Sequence, residues 1–148
     1  MARATRKAEP FSIRLTLDDD RFVENEARRL HRSKGAIVER YAQEGIKARR
    51  FPGIAFRGED YRRRAWVLGT GLDVWEIVVL VRDFGSPEAV AREYGLTEGQ
   101  VKLALAYAEE FAGEIDELVA RGAPSEAEAL EGYPFIATVD QAAPAGRR

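Results

Sequence analysis

Three polar residues near the N-terminus have the types and the spacing that recognition chemistry needs. In the stretch FSIRLTL, which begins at Phe11, the polar positions are Ser12, Arg14 and Thr16. Because successive side chains of a strand point to opposite faces, these three would share one polar face. A guanidinium can bind guanine with two hydrogen bonds, and short hydroxyl side chains can reach other base edges. We therefore predict Ser12, Arg14 and Thr16 to contact DNA bases.

The other positions of this stretch are apolar and would share the opposite face: Phe11, Ile13, Leu15 and Leu17. A single strand with one apolar face is not stable alone, because its backbone groups need a partner strand. No second strand of matching length follows within this segment, so we predict pairing with the same stretch of a second copy. The resulting two-stranded ribbon would fit the major groove of DNA. The alternative is a helical hairpin with an extended N-terminal arm.

A first helix is predicted behind this stretch, running to about Leu30. Its cap would be one of three consecutive carboxylates, Asp18, Asp19 or Asp20. Apolar residues at helical spacing would cover the strand, namely Phe22, Val23, Ala27 and Leu30.

A second helix is predicted from Lys34 to about Ala48, with Ser33 as its cap. The free backbone N–H groups and the partial positive charge at a helix N-terminus suit a phosphate. The lysine adds a full positive charge there. We therefore predict Ser33, Lys34 and Gly35 to bind the phosphates that flank the contacted bases.

This strand–helix–helix segment, residues 11–48, resembles the ribbon-helix-helix family of DNA-binding dimers. The resemblance is carried by SIRLTL, by a capped first helix that ends in ARRLHR, and by the second helix in SKGAIVERYAQEG.

The composition of the 148 residues excludes several classes of protein and of site. Cysteine is absent, which excludes disulfides, thiolate metal sites and cysteine nucleophiles. The longest apolar run, VWEIVVLV at residues 74–81, contains a glutamate and is too short to span a bilayer. The basic N-terminus lacks the apolar core of a signal peptide. We expect one domain or two small ones, in the cytoplasm and without a membrane partner.

The net charge of −2 hides a strong asymmetry along the chain. Residues 1–64 hold 17 Lys and Arg against 10 Asp and Glu, whereas residues 65–148 hold 6 against 15. The first portion would be attracted to phosphates and the second repelled by them. Residues 1–10 are expected to form a flexible basic arm, which either folds onto DNA or stays solvated.

Residues 49–72 join the two portions and are punctuated by proline and glycine. GIAFR and RAWVL predict a short β-hairpin around GEDYRR. The expected inward side chains are Ile54, Phe56, Trp66 and Leu68. The arginine-rich run from Tyr61 to Arg64 is either a second phosphate contact or an exposed turn whose arginines meet acidic groups of a partner.

From Asp73 onward the sequence predicts helices, each with a capping residue in front. They run from Val74 to about Phe84 behind Asp73, to about Tyr94 behind Ser86 and Pro87, and from Thr97 to about Val119. Ala91, Gly95 and Val101 have the spacing of a helix-turn-helix, with a small residue, a glycine in the turn and an aliphatic residue.

Three stretches of this region together resemble a family of small helix-turn-helix domains, the domain of unknown function catalogued as number four hundred and thirty-three. They are FPGIAFRG, VLGTGLDVWEIV and SPEAVAREYGLTEGQVKLALAYAEEF, within residues 51–112. Members look like antitoxin components, often paired with a PIN-type ribonuclease toxin, and a VapB-type antitoxin is what the resemblance implies. The sequence departs from the family at Gly71, where arginine is common, and at Asp73, where proline is common.

The second helix of that helix-turn-helix is poorly suited to reading DNA. Its start offers Thr97, Glu98, Gln100 and Lys102, and further carboxylates follow from Glu109 to Glu117. Carboxylates lose attraction near phosphates. We therefore favour a protein-binding or dimerising role, and the acidic surface would suit a basic toxin.

The tail from residue 121 to residue 148 contains an apolar stretch, YPFIATV, between flanks rich in Ala, Pro and Gly. Such a segment either docks onto a partner or folds back onto its own domain. The candidate partner-binding residues are Tyr133, Phe135, Ile136 and Val139.

Enzymatic chemistry has little support in the sequence. The only histidine, His31, lies at a helix break without a hydroxyl or carboxylate arranged around it. No phosphate-binding glycine loop occurs. We expect no catalytic residue, no metal site and no cofactor.

The predicted fold is mainly α: a ribbon-helix-helix with one intermolecular strand and two helices, then a small helix-turn-helix domain with a short β-hairpin. The segments are 1–10, 11–48, 49–120 and 121–148. The predicted function is that of a type II antitoxin, which binds operator DNA as a homodimer, represses its own transcription and neutralises a PIN-type ribonuclease. The alternatives are a stand-alone regulator whose C-terminal domain serves oligomerisation, and a scaffold protein that never touches DNA.

Overall fold

The computed structural model describes residues 6–122 of the chain, which are mainly helical with one small antiparallel sheet. Its elements are α1 (Leu17–Leu30), α2 (Lys34–Arg50), β1 (Ile54–Arg57), β2 (Arg64–Val67), α3 (Val74–Phe84), α4 (Pro87–Tyr94), α5 (Glu98–Glu110) and α6 (Ala112–Arg121). The chain divides into two compact units, an N-terminal unit at Met1–Ala42 and a C-terminal unit at Gln43–Arg148. Within residues 6–122 none of the helices has the length and apolar character needed to cross a lipid bilayer.

The start of α1 differs from the prediction. Thr16 is the capping residue, because its Oγ1 accepts a hydrogen bond of 3.2 Å from the backbone N–H of Asp19. The same hydroxyl donates to the Asp19 carboxylate at 2.8 Å. The prediction of an aspartate cap is therefore wrong. All three aspartates lie in the first turn instead, where their negative charge complements the positive end of the helix dipole.

A small core holds α1 against α2 in the N-terminal unit. Val23, Ala27 and Ile37 are buried. The partly buried side chains packed around them are Leu15, Leu30, Val38 and Tyr41. Of the four apolar residues predicted for the inward side of α1, Val23, Ala27 and Leu30 are in this core, whereas Phe22 is 58% exposed.

Residues 11–16 form no strand in this structure and pair with no other segment of residues 6–122. Phe11 is 86% exposed and Ile13 is 60% exposed, whereas Leu15 packs on the small core. Leu17 belongs to α1 rather than to the stretch before it and is 78% exposed. Pairing with a second copy concerns a dimer and remains a prediction.

The predicted β-hairpin is present at the start of the C-terminal unit. The strands β1 and β2 are antiparallel, and a short 3-10 turn at Asp60–Arg62 lies in their connection. The register places Ile54 opposite Val67 and Phe56 opposite Ala65. Residues directly opposite each other lie on the same face of the sheet. Ala65 and Val67 accordingly share the inward face and are each 1% exposed.

The prediction of Trp66 and Leu68 as inward side chains is therefore wrong. Trp66 alternates with its buried neighbours and lies on the other face, where the guanidinium of Arg57 is 4.8 Å from its ring centroid. Leu68 comes after the end of β2 and is 48% exposed.

Four helices complete the C-terminal unit around one apolar core. Its most deeply buried helical residues are Val74, Ile77, Val90, Val101, Ala104, Tyr107 and Ile115. Ala91 and Val101 are buried, and Gly95 ends α4 with a left-handed φ of 65°.

The helix predicted from Thr97 to about Val119 is interrupted at Phe111. That residue has φ −116° and ψ 45°, and it separates α5 from α6. The ring of Phe111 packs on that of Tyr107, with centroids 4.7 Å apart. After the break, Ile115 is 1% exposed in the core. The prediction of one continuous helix is therefore wrong, and the break coincides with a tertiary contact of the aromatic ring that the local helical pattern does not contain.

Candidate nucleic-acid interface

The three residues predicted to contact bases are all exposed in the N-terminal unit, but they are not equivalent. Ser12 and Arg14 precede α1, and within residues 6–122 no hydrogen bond or ion pair engages the Arg14 guanidinium. Thr16 is engaged, because its hydroxyl caps α1 through Asp19. As far as residues 6–122 are concerned, the polar groups of Ser12 and Arg14 are free, while Thr16 fixes the point at which the helix begins.

The predicted phosphate ligands lie together at the first turn of α2. The Ser33 hydroxyl accepts a hydrogen bond of 3.1 Å from the backbone N–H of Ala36 and so caps the helix. The first turn contains no acidic residue. A Cβ atom placed on Gly35 would meet no heavy atom within 4 Å, so the side of the helix at this residue is unobstructed.

The ammonium of Lys34 is held by a neighbouring carboxylate, that of Asp20 in α1. The hydrogen bond that Lys34 donates to Asp20 is the main cause that raises the pKa of Lys34, with the negative charges of Asp20 and Glu24 adding to it and desolvation opposing it. Lys34 therefore stays charged, and a phosphate at this helix end would compete with Asp20 for it.

Other cations of the N-terminal unit form weak, exposed ion pairs. Lys7 contacts Glu39 at 3.2 Å, and their side chains are 83% and 51% exposed. Arg21 lies 3.8 Å from Asp18, and both side chains are largely exposed. Pairs of this kind stabilise a protein by only about 0–1 kcal/mol. Both cations can therefore exchange these partners for phosphates at little cost.

The arginine-rich run in the hairpin connection is mostly engaged inside the C-terminal unit. Arg63 donates to both carboxylate oxygens of Glu44, at 2.8 and 2.6 Å. Arg64 donates to Asp73. The guanidinium of Arg62 stacks over the exposed ring of Tyr61, 5.3 Å from its centroid. Two of these guanidiniums meet acidic groups of the same chain, which weakens the reading of this run as a second phosphate contact.

A buried carboxylate that receives two guanidiniums was not predicted. Asp73 is 3% exposed; its Oδ1 accepts from Arg57 Nε at 2.7 Å, and its Oδ2 accepts from Arg64 Nε at 2.5 Å. The indole N–H of Trp75 also points at Oδ2, at 3.3 Å. The sequence indicated a cap at Asp73, and Asp73 does occupy the N-cap position of α3, with its backbone N–H donating to Glu76. The sequence contains one signal for this network of ion pairs: β1 ends with an arginine, Arg57, and β2 begins with another, Arg64.

The start of α5 presents few polar groups for reading bases. The Thr97 hydroxyl accepts a hydrogen bond from the backbone N–H of Gln100. In return, the side-chain oxygen Oε1 of Gln100 accepts one from the backbone N–H of Thr97. Lys102 contacts Glu98 at 3.4 Å. The polar side chains at the start of α5 are therefore engaged in capping the helix and in a local ion pair, and the predicted protein-binding role of this helix stays a prediction.

The predicted partner-binding residues Tyr133, Phe135, Ile136 and Val139 lie outside residues 6–122, the part of the chain that the structure describes.

Comparison with known proteins bears on the C-terminal unit. No significant match was found among curated proteins or solved structures. Residues 62–108 match a protein family described as "Protein of unknown function (DUF433)". The match spans β2, α3, α4 and most of α5, inside the region for which this resemblance was predicted.

Proposed function

We propose that this protein is an antitoxin that binds its own operator as a homodimer and neutralises a PIN-type ribonuclease toxin through its C-terminal region. The observation that carries the proposal is the stretch before α1. It exposes Phe11 and Ile13, and within residues 6–122 it has no partner strand and its Arg14 guanidinium has no hydrogen bond or ion pair.

Exposed large apolar side chains on an unpaired stretch favour association with a second copy. Full burial of one such side chain stabilises by about 1.5–3 kcal/mol. Two copies would together bury two phenylalanines and two isoleucines, and the backbones would gain a ladder of hydrogen bonds. On such a ribbon the positions of Ser12 and Arg14 would lie on the face opposite Phe11 and Ile13.

The cations of the N-terminal unit support an approach to DNA. The first turn of α2 at Gly35 and the adjacent Lys34 offer a phosphate both backbone donors and positive charge. The weak ion pairs of Lys7 and Arg21 leave further cations available.

The C-terminal unit suits a basic protein partner rather than DNA. Exposed carboxylates follow one another along α5 and α6, among them Glu109, Asp116 and Glu117. A phosphate backbone would be repelled by them, whereas a basic ribonuclease surface would be attracted.

A second candidate function is a stand-alone regulator whose C-terminal unit serves oligomerisation. Phe84 and Tyr94 favour it, because these two aromatic side chains are 44% and 45% exposed and pack edge to face at 5.8 Å. Exposed aromatic pairs are typical anchors of protein interfaces.

The test measures both the oligomeric state and operator binding of the same variants. Ile13→Asp places a charge on the apolar face of the stretch, and we expect sedimentation to show a monomer and a gel shift with the gene's own promoter to be lost. Leu68→Asp is the matched control, since Leu68 is similarly exposed but lies after β2. The proposal fails if Ile13→Asp remains a dimer that shifts the promoter as the wild type does. If the wild-type protein is a dimer that binds no promoter fragment, the alternative of a scaffold protein that never touches DNA is favoured instead.

A further inference from the structure

Four aromatic rings of the C-terminal unit form a cluster that we term the aromatic cage, made of Phe51, Phe56, Tyr107 and Phe111. The ring of Tyr107 lies 4.7 Å from that of Phe111, 5.4 Å from that of Phe51 and 6.4 Å from that of Phe56, measured between centroids. The rings of Phe51 and Phe111 are 5.9 Å apart. The cage therefore combines residues from β1, from α5, from the break after α5 and from the segment after α2.

One ammonium group occupies this cage. The Nζ atom of Lys47 lies 4.4 Å from the ring centroid of Phe111, and 5.9 Å from those of Phe56 and Tyr107. All three distances are within the range in which a ring face attracts a cation. Lys47 also donates to Glu114 Oε2 at 2.5 Å.

The carboxylate that receives the ammonium is itself oriented by the cage. The Tyr107 hydroxyl donates to Glu114 Oε1 at 3.0 Å, which leaves Oε2 to face the cation. Burial, followed by the negative charge of Glu114 and the hydrogen bond to it, raises the pKa of Tyr107, so the hydroxyl keeps its proton. Tyr107 is fully buried, whereas the side chains of Lys47 and Glu114 are 25% and 31% exposed. The cage thus has a buried floor and an edge exposed to water.

An ammonium suits the carboxylate of this cage. It acts as a single point donor, and Glu114 Oε2 accepts from it while Oε1 accepts from Tyr107. A neighbouring guanidinium also contacts two rings of the cage. Arg50 pairs with Glu110 at 2.6 Å, and its Cζ atom lies 5.7 Å from the rings of Phe51 and Phe111.

We propose that the aromatic cage, together with Glu114, is a binding site for a lysine side chain of a protein partner, and that Lys47 closes it in the free protein as an internal competitor. Lys47 is suited to this role because it lies in the last turn of α2, and helix ends fray more readily than helix interiors. The inference goes beyond the proposed function, and its test needs neither DNA nor toxin.

The experiment compares wild type with Lys47→Ala in a titration followed by NMR chemical shifts. The probe is Nα-acetyl-lysine methylamide, which carries a lysine side chain without charged termini. If Lys47 fills the cage in nine of ten molecules, its removal strengthens the apparent affinity about tenfold. Arg49→Ala is the matched control, since Arg49 is an exposed cation of the same helix end, and it is expected to bind as the wild type does.

Two further arms make the result specific. The Nζ-acetylated probe, which has no charge, is expected not to bind. Phe111→Leu in the Lys47→Ala background removes the ring nearest to the ammonium and is expected to abolish the gain. Equal affinity of wild type and Lys47→Ala, no binding by either, or equal binding of the acetylated probe overturns the proposal.

Loss of Lys47 could also unfold the C-terminal unit. In that case n-propylammonium, which supplies the side-chain atoms that the alanine lacks, is titrated into Lys47→Ala. The helix content is followed by circular dichroism. Recovery of helix with n-propylammonium but not with 1-propanol or sodium chloride supports the site, and no recovery overturns it.

Discussion

Replacing the buried carboxylate Asp73 by asparagine is expected to destabilise the C-terminal unit strongly. The change keeps the shape of the side chain but leaves the guanidiniums of Arg57 and Arg64 without their counter-charge. Removing one partner of a buried ion pair costs about 3–5 kcal/mol. The two guanidiniums are 25% and 19% exposed, so water compensates in part, and we expect a loss of about 3 kcal/mol, at the lower end of that range.

Urea unfolding followed by tryptophan fluorescence measures this loss. Both tryptophans of the chain, Trp66 and Trp75, lie in the C-terminal unit, and Trp75 contacts the carboxylate directly. With a slope of about 1–3 kcal/mol per molar urea, the midpoint falls by about 1–3 M. Asp116→Asn is the matched control, because Asp116 is 68% exposed and 3.8 Å from Arg82, and we expect a change within about 0.5 kcal/mol.

A second substitution separates charge from packing. In the Arg64→Met background one of the two guanidiniums is already absent, so Asp73→Asn should destabilise less than it does in the wild type. Equal losses in the two backgrounds, or an Asp73→Asn loss no larger than that of Asp116→Asn, would refute the reasoning that Asp73 neutralises the two arginines.

Three further predictions concern the other parts of the chain. Arg14→Ala is expected to weaken operator binding by about 1–3 kcal/mol per lost bidentate base contact, measured by gel shift, whereas Arg21→Ala should change it far less; equal losses would remove Arg14 from base reading. Since the pKa of Tyr107 is raised above its ordinary value of 10.0, the unfolded chain ionises first, so stability is fully present below pH 10 and falls as the pH rises beyond it. Urea midpoints should show this fall in the wild type and a flatter profile in Tyr107→Phe, and parallel profiles would contradict it. Deleting residues 123–148 should reduce copurification of the toxin while sparing operator affinity, and the reverse pattern would show that the tail serves DNA binding.

Several features set by residues close together in the chain were predicted correctly, although the cap of α1 was not. Ser86 and Thr97 cap α4 and α5 as expected, because each cap depends only on a hydroxyl and the backbone N–H three residues later. The end of α3 follows from Gly85, whose left-handed φ of 80° suits glycine. The match to the family of unknown function confirms the resemblance over residues 62–108.

Features that depend on tertiary packing were not predicted. The inward face of β2 was misassigned because Ala65 and Trp66 alternate, and only the register with β1 decides which of them is buried. At the break, the ring of Phe111 packs on those of Tyr107 and Phe51, and Phe51 lies sixty residues earlier. The arginines around Asp73 and the ammonium in the aromatic cage likewise join distant segments. Local sequence patterns contain no signal for contacts between segments that lie far apart in the chain.

The stretch before α1, residues 11–16, bears on the rate at which proteases would degrade the protein. An extended segment with unpaired backbone groups is the form of chain that a protease cleft accepts most readily. Strand pairing between copies would hide the same backbone, so the fraction cut would fall as molecules become more abundant. Turnover would then depend on abundance, with scarce chains removed quickly and plentiful ones retained.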